Sequence, residues 1–106
     1  MSFDLKTETH GTEVMIRLGG ELDASVADEF KRAVEQAAAS SPRRLVLFMD
    51  ELQFLASAGL RILIFAKQKM GAGVDIYVIG AKGPVLSTLQ MSGFHHAVYL
   101  KDSYVG

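Results

Sequence analysis

Leu45-Val46-Leu47-Phe48-Met49 is apolar at five successive positions, with no polar residue between them. A strand with one wet face alternates, because successive side chains point to opposite sides of the sheet. An unbroken apolar run therefore predicts a central strand covered on both faces, the signature of an α/β fold. Every other element has to be fitted around that strand.

The rest of the chain supplies suitable neighbours. Phe3 to Thr9 alternates weakly and reads as an edge strand. Val14, Ile16 and Leu18 alternate with Met15 and Arg17, predicting a strand that stops at Gly19-Gly20 and turns through Gly20-Glu21-Leu22-Asp23. Ser25-Val26-Ala27-Asp28 has the spacing of a capping box, and Val26, Phe30, Ala33, Val34 and Ala37 then share one helical face. Ser40-Ser41-Pro42 ends that helix. After the central strand, a helix over Leu60 to Met70 stops at Gly71-Ala72-Gly73, and Val74 to Ile79 forms another buried strand closed by Gly80. Pro84 opens a third helix, Gly93 closes it, and Ala97 to Leu100 makes a short last strand. The order is that of an α/β domain with right-handed crossovers.

Composition narrows the function. A single domain spanning residues 1–106 should bury about 65% of its unfolded surface, enough for a core without staples. Cysteine is absent, which removes disulfides and thiolate metal sites and fits a reducing compartment. The net charge is −1 with neither sign clustered, so the basic footprint of a nucleic-acid binder is missing. No apolar run approaches the ~20 residues of a membrane span, and the N-terminus lacks a signal-peptide pattern. The expectation is a cytoplasmic protein without membrane insertion.

The segment Phe54-Leu55-Ala56-Ser57-Ala58-Gly59-Leu60 hands the central strand to the second helix. Ser57 is expected to face solvent and to cap that helix, a contribution of about 1 kcal/mol. Phosphate there would also be tolerated, because a helix start carries unpaired N–H groups and a partial positive charge. Along the helix, Arg61, Lys67 and Gln68 mark the outer side, and the spacing brings Leu60 and Ile64 to it while Leu63, Ala66 and Met70 point to the sheet. Such an apolar outer face is either a contact surface or covered by a loop.

Other candidates are weaker. Ser57 lies in half of a Gly-x-Ser-x-Gly elbow, with Leu55 where the first glycine should stand, so a hydrolase nucleophile fits poorly. His95-His96 lacks the i, i+4 spacing of two ligands on one helix face and reads as solvated loop residues. Gly71-Ala72-Gly73 is a helix stop rather than a nucleotide loop. Glu21 and Asp23 read as turn acids, and the five methionines as core filler. No cofactor and no metal site are expected.

Three segments together resemble the STAS domain, in particular the bacterial anti-sigma factor antagonists. Leu18-Gly19-Gly20-Glu21-Leu22-Asp23 is similar to the family's strand and turn ending in Gly-Glu-Leu-Asp. Phe54 to Leu60 is similar to its phosphorylation segment, usually Asp-Ser-Ser/Thr-Gly-Leu. Gly73 to Gly93, with Val78-Ile79-Gly80, Pro84-Val85 and Met91-Ser92-Gly93, is similar to its fourth strand and third helix. The resemblance implies an α/β STAS-like single domain with a mixed, mostly parallel sheet of about five strands and about three helices. The family's C-terminal helix is expected to be missing or vestigial, which would leave one sheet face open to a homodimer or a partner.

The resemblance further implies a non-enzymatic switch in signal transduction and transcription regulation. The unphosphorylated domain would bind a serine kinase/anti-sigma factor of the histidine-kinase-like ATPase fold. Phosphorylation of Ser57 would break the complex, and a PP2C-type, metal-dependent phosphatase would restore it. Asp23, Ala58, Gly59, Leu60, Arg61 and Ile64 would form the partner-binding surface. Ala56 stands where the family carries aspartate, and Ala58 where it carries a small hydroxyl residue. A second role the resemblance allows is a non-phosphorylated accessory subunit of a lipid-transport ATP-binding-cassette complex.

Overall fold

The computed structural model describes residues 2–104. Its core is one five-stranded sheet in the order β1-β2-β3-β4-β5, where β1 is Phe3–His10, β2 Glu13–Leu22, β3 Arg44–Leu55, β4 Asp75–Ile79 and β5 Tyr99–Lys101. Only β1 runs antiparallel to its neighbour; the other three pairings are parallel. Helices α1 (Ala27–Ala39), α2 (Ser57–Met70) and α3 (Gly83–Ser92) make the three crossovers. Each crossover advances one strand in the same direction, so right-handed connections bring all three helices to one face. There Val14, Ile16, Leu18, Leu45, Leu47, Met49, Ile76 and Val78 meet Phe30, Val34, Leu63, Val85 and Leu89 in one buried cluster.

Strand β3 is central, as its apolar run requires, but its second face is covered without a helix. Val46 is fully buried yet belongs to no part of the helical-side cluster. Its face carries Arg17 stacked over Phe48 at 4.2 Å and Arg44 over Tyr77 at 4.7 Å. Tyr104 packs edge-on against both Phe48 and Tyr77, with centroids 6.1 and 5.6 Å away. Its hydroxyl donates to Glu13 Oε1 at 2.7 Å and accepts from Arg44 Nη1 at 3.0 Å. Burial, the largest effect, and the Glu13 bond raise the Tyr104 pKa against the opposing pull of Arg44. Asp102 to Tyr104 form no helix, while Val105 and Gly106 lie outside the described residues, as does Met1.

Several expected boundaries move. Strand β2 continues through Gly19-Gly20 to Leu22, because the glycines mark register shifts against β3 instead of a stop. Gly20 has φ +80°, and a Cβ on it would collide with the Ser2 carbonyl oxygen. Strand β3 runs on to Leu55; beyond Phe48 it pairs only with β2, so its exposed side tolerates Asp50, Glu51 and Gln53. The Ser25 capping box is not made. Helix α1 starts at Ala27 behind Val26 with no side-chain cap, because Asp23 takes the Ser25 hydroxyl and N–H instead. A one-turn 3₁₀ helix, Phe94–His96, delays β5 by two residues and holds His95 half-buried against the Leu89 carbonyl. Met49 is core filler as expected, but Met91 is 88% exposed.

Tyr104 closes the helix-free face through two ring contacts and two hydrogen bonds. Tyr104→Ala should therefore lower the unfolding free energy by about 2 kcal/mol in urea titrations. Tyr104→Phe, which keeps the rings, should lose only about 1 kcal/mol.

Candidate functional site

The site forms where β2 and β3 end side by side. Leu22 pairs with Leu55, and the Ala56 N–H extends the ladder by donating to the Leu22 carbonyl at 3.0 Å. One residue further on each side stand Asp23 and the start of α2. Two parallel strands held in register thus bring together residues far apart in sequence.

Helix α2 begins one residue earlier than a Ser57 cap would require. Its N-cap position is Ala56, extended at φ −80° and ψ 166°, and Ser57 is the first helical residue. No side chain caps this helix, so Ser57 contributes nothing as an N-cap. The first intrahelical bond runs from the Leu60 N–H to the Ala56 carbonyl. Hence the N–H groups of the opening turn have no helical acceptor, and the turn holds no acidic residue. The exposed Ser57 hydroxyl stands beside these donors at the positive end of the helix dipole. The aspartate that the family resemblance would place at position 56 corresponds to the N-cap, where a carboxylate would accept one of those N–H groups.

Asp23 is ionised and already oriented. Its Oδ1 accepts from the Ser25 hydroxyl at 2.6 Å and from the Ser25 N–H at 2.9 Å. The Ser25 hydroxyl bond is the main cause holding the Asp23 carboxyl below its ordinary value. The carboxylate is thus a fixed negative group at the mouth of the site.

Gly59, expected on the partner-facing surface, is buried. A Cβ there would lie 2.7 Å from Leu22 Cγ and 2.9 Å from Leu55 Cδ1. Its absence lets α2 settle directly onto the strand ends, so Gly59 positions Ser57 and offers no surface of its own. Leu60, expected on the outer side, is half-buried and packs on the core. Helix α2 touches α1 as well as the sheet, with Lys31 over the Phe65 ring at 5.2 Å, so its covered sector is wider than one stripe. Arg61 is exposed, Ala58 is half-buried, and Ile64 is 39% exposed. Ser57, Arg61 and Ile64 lie four and three residues apart and therefore on one helical side.

Phe54, 45% exposed just before the junction, adds a large apolar group that sequence reasoning passed over. Its signal was faint: an aromatic beyond the last strong strand residue, in a segment read as a connection. Chemically the arrangement offers a hydroxyl, a fixed carboxylate, a guanidinium and two exposed apolar groups. His10 bonds to Glu8, and His95 lies against Leu89. Among the described residues, no three or more His, Asp or Glu side chains gather in a metal-binding cluster. No helix among them is long and apolar enough to cross a membrane.

Comparison with known proteins places this geometry among relatives. The STAS domain family matches residues 4–104. The anti-sigma-F factor antagonist RsfB of Mycobacterium tuberculosis is 31% identical over 84 residues, covering 79% of this chain and 68% of the relative. The crystal structure of an anti-sigma factor antagonist from Mycobacterium paratuberculosis superposes with a TM-score of 0.87 at 27% identity, over 96% of this chain and 87% of the other. The unphosphorylated form of the anti-sigma factor antagonist SpoIIAA has a TM-score of 0.76 at 17% identity, covering 97% and 90% of the two chains, a likeness of fold.

Three stability measurements check the junction. Gly59→Ala should cost about 1–3 kcal/mol by forcing Leu22 and Leu55 aside, whereas Ser57→Ala, which removes no cap, should stay within about 0.5 kcal/mol of wild type. Ala56→Asp should supply the missing cap and raise the unfolding free energy by about 1 kcal/mol.

Proposed function

Because the chain belongs to the STAS domain family, we propose that it works as an anti-sigma factor antagonist switched by phosphorylation of Ser57. The observation that carries this reading is an exposed hydroxyl at the first position of α2, beside unpaired N–H groups and next to exposed apolar side chains. Relatives named anti-sigma factor antagonists support the regulatory role. The family role is regulatory rather than catalytic, and the reading places the protein in the cytoplasm.

Unphosphorylated, the surface of Ser57, Ala58, Arg61 and Ile64, with Phe54 and the edge of Leu60, docks a serine kinase/anti-sigma factor of the histidine-kinase-like ATPase fold. Phe54 and Ile64 supply the apolar area, and Asp23 supplies a fixed charge for a basic group on the partner. Phosphorylation adds about −1.5 to −2 charges at Ser57. The helix start accepts that charge through its free N–H groups, and Arg61 stands one turn on to pair with it. The fold therefore survives modification while the partner meets new negative charge at the centre of the surface it docks on. A PP2C-type phosphatase resets the switch.

The test combines intact-mass measurement after incubation with the cognate kinase and ATP with binding titrations. Wild type should gain one phosphate and Ser57→Ala none. Ser57→Ala should bind the unloaded kinase as wild type does, and Ser57→Asp at least roughly tenfold more weakly, a loss of about 1.4 kcal/mol. Equal binding by all three, with no phosphate gained, would favour the non-phosphorylated accessory subunit of a lipid-transport complex.

A further inference from the structure

Strand β1 is the sheet's antiparallel edge, and its unpaired side follows a definite pattern. The Ser2 carbonyl accepts from the Glu21 N–H at 2.9 Å, and the register runs without a slip from Phe3↔Gly20 to His10↔Glu13. In an antiparallel ladder, residues alternate between bonding the neighbour and facing away. Asp4, Lys6, Glu8 and His10 therefore direct their backbone groups to β2. Phe3, Leu5, Thr7 and Thr9 direct theirs to the free edge, which carries neither proline nor bulge.

The side chains alternate as well. Asp4, Lys6, Glu8 and His10 share the face of Arg17, and Asp4 and Lys6 border a shallow depression there with Arg17 and Gly19. Charges on an edge strand ordinarily guard it against pairing. These are self-complementary. When a second copy of β1 runs antiparallel about a two-fold axis through Thr7, Lys6 falls opposite Glu8 of the second copy and Asp4 opposite its His10. Leu5 then faces Thr9, so the outward N–H and C=O groups of the two strands also meet.

Neighbouring registers are worse. A slip of two residues one way sets Lys6 against Lys6 and Asp4 against Glu8; the other way sets Glu8 against Glu8. A slip of four leaves only Phe3 to Thr7 paired in one direction and only Glu8 to His10 in the other. Within one chain Lys6 stands opposite Arg17 on β2 and makes no ion pair among the described residues. A carboxylate arriving from the free side would relieve that like-charge contact. We infer that β1 is a dimerisation edge, joining two copies antiparallel about Thr7 into one continuous sheet. The inference does not rest on phosphorylation of Ser57.

Sedimentation velocity over a protein and salt concentration series tests it, with circular dichroism to confirm folding of each variant. Wild type should form a dimer that weakens as salt rises. Lys6→Glu and Glu8→Lys should each weaken it by roughly tenfold or more, and the double variant K6E/E8K should recover it. Thr7→Pro, which removes an outward N–H and no bond to β2, should be monomeric. A wild type monomeric at all concentrations would overturn the inference. So would a dimer indifferent to Lys6→Glu or Thr7→Pro, or a double variant no better than the single ones.

Discussion

The structure depends on the parallel pairing of β2 with β3, carried past the point where β4 stops. That ladder positions Leu22 against Leu55, and the Ala56 N–H on the Leu22 carbonyl extends it to the first turn of α2. Gly59 then removes the one Cβ that would hold the helix off the strand ends. Asp23 and Ala56 each follow the last paired residue of their strand through this alignment alone. A slip of one residue would send every β3 side chain to the opposite face, and the site would dissolve with the core.

The two faces of the sheet meet the same requirement by different means. On the helical side, Phe30, Val34, Leu63, Val85 and Leu89 bury the strands by ordinary aliphatic packing. On the other side, the guanidinium groups of Arg17 and Arg44 sit over the rings of Phe48 and Tyr77 and help to cover them. Tyr104 ties that layer to β2 and β3 through Glu13 and Arg44. Among the described residues, the central strand is thus covered on both faces although the helices lie on one side of the sheet.

Much of this was legible in the residues. The apolar run at Leu45 to Met49 identified the central strand, the face of Phe30, Ala33 and Val34 identified α1, and Pro84 with Gly93 bounded α3 closely. These signals are local: periodicity, a fixed φ at proline, a left-handed φ of 78° at the Gly93 cap. The misses share another cause. Gly19-Gly20 looked like a stop because only the partner strand shows that a bulge accommodates them. Ser25 and Ser57 looked like caps because the rule looks only forward along the helix. Asp23 had claimed Ser25, and α2 had already started at Ser57. Leu60 looked exposed because a helical wheel allows for one buried side, while α2 packs against α1 as well as the sheet.

The amino-acid sequence by itself determined the element types, the α/β class and the strand-to-helix junction carrying Ser57, because each rests on interactions within a few residues. Tertiary structure alone decided that Ala56 rather than Ser57 occupies the N-cap, that Gly59 is buried packing, and that Tyr104 closes the helix-free face. It also decided which backbone groups of β1 face outward. Those outcomes depend on which strand lies beside which and in what register, a property of the whole sheet that no short stretch of chain encodes.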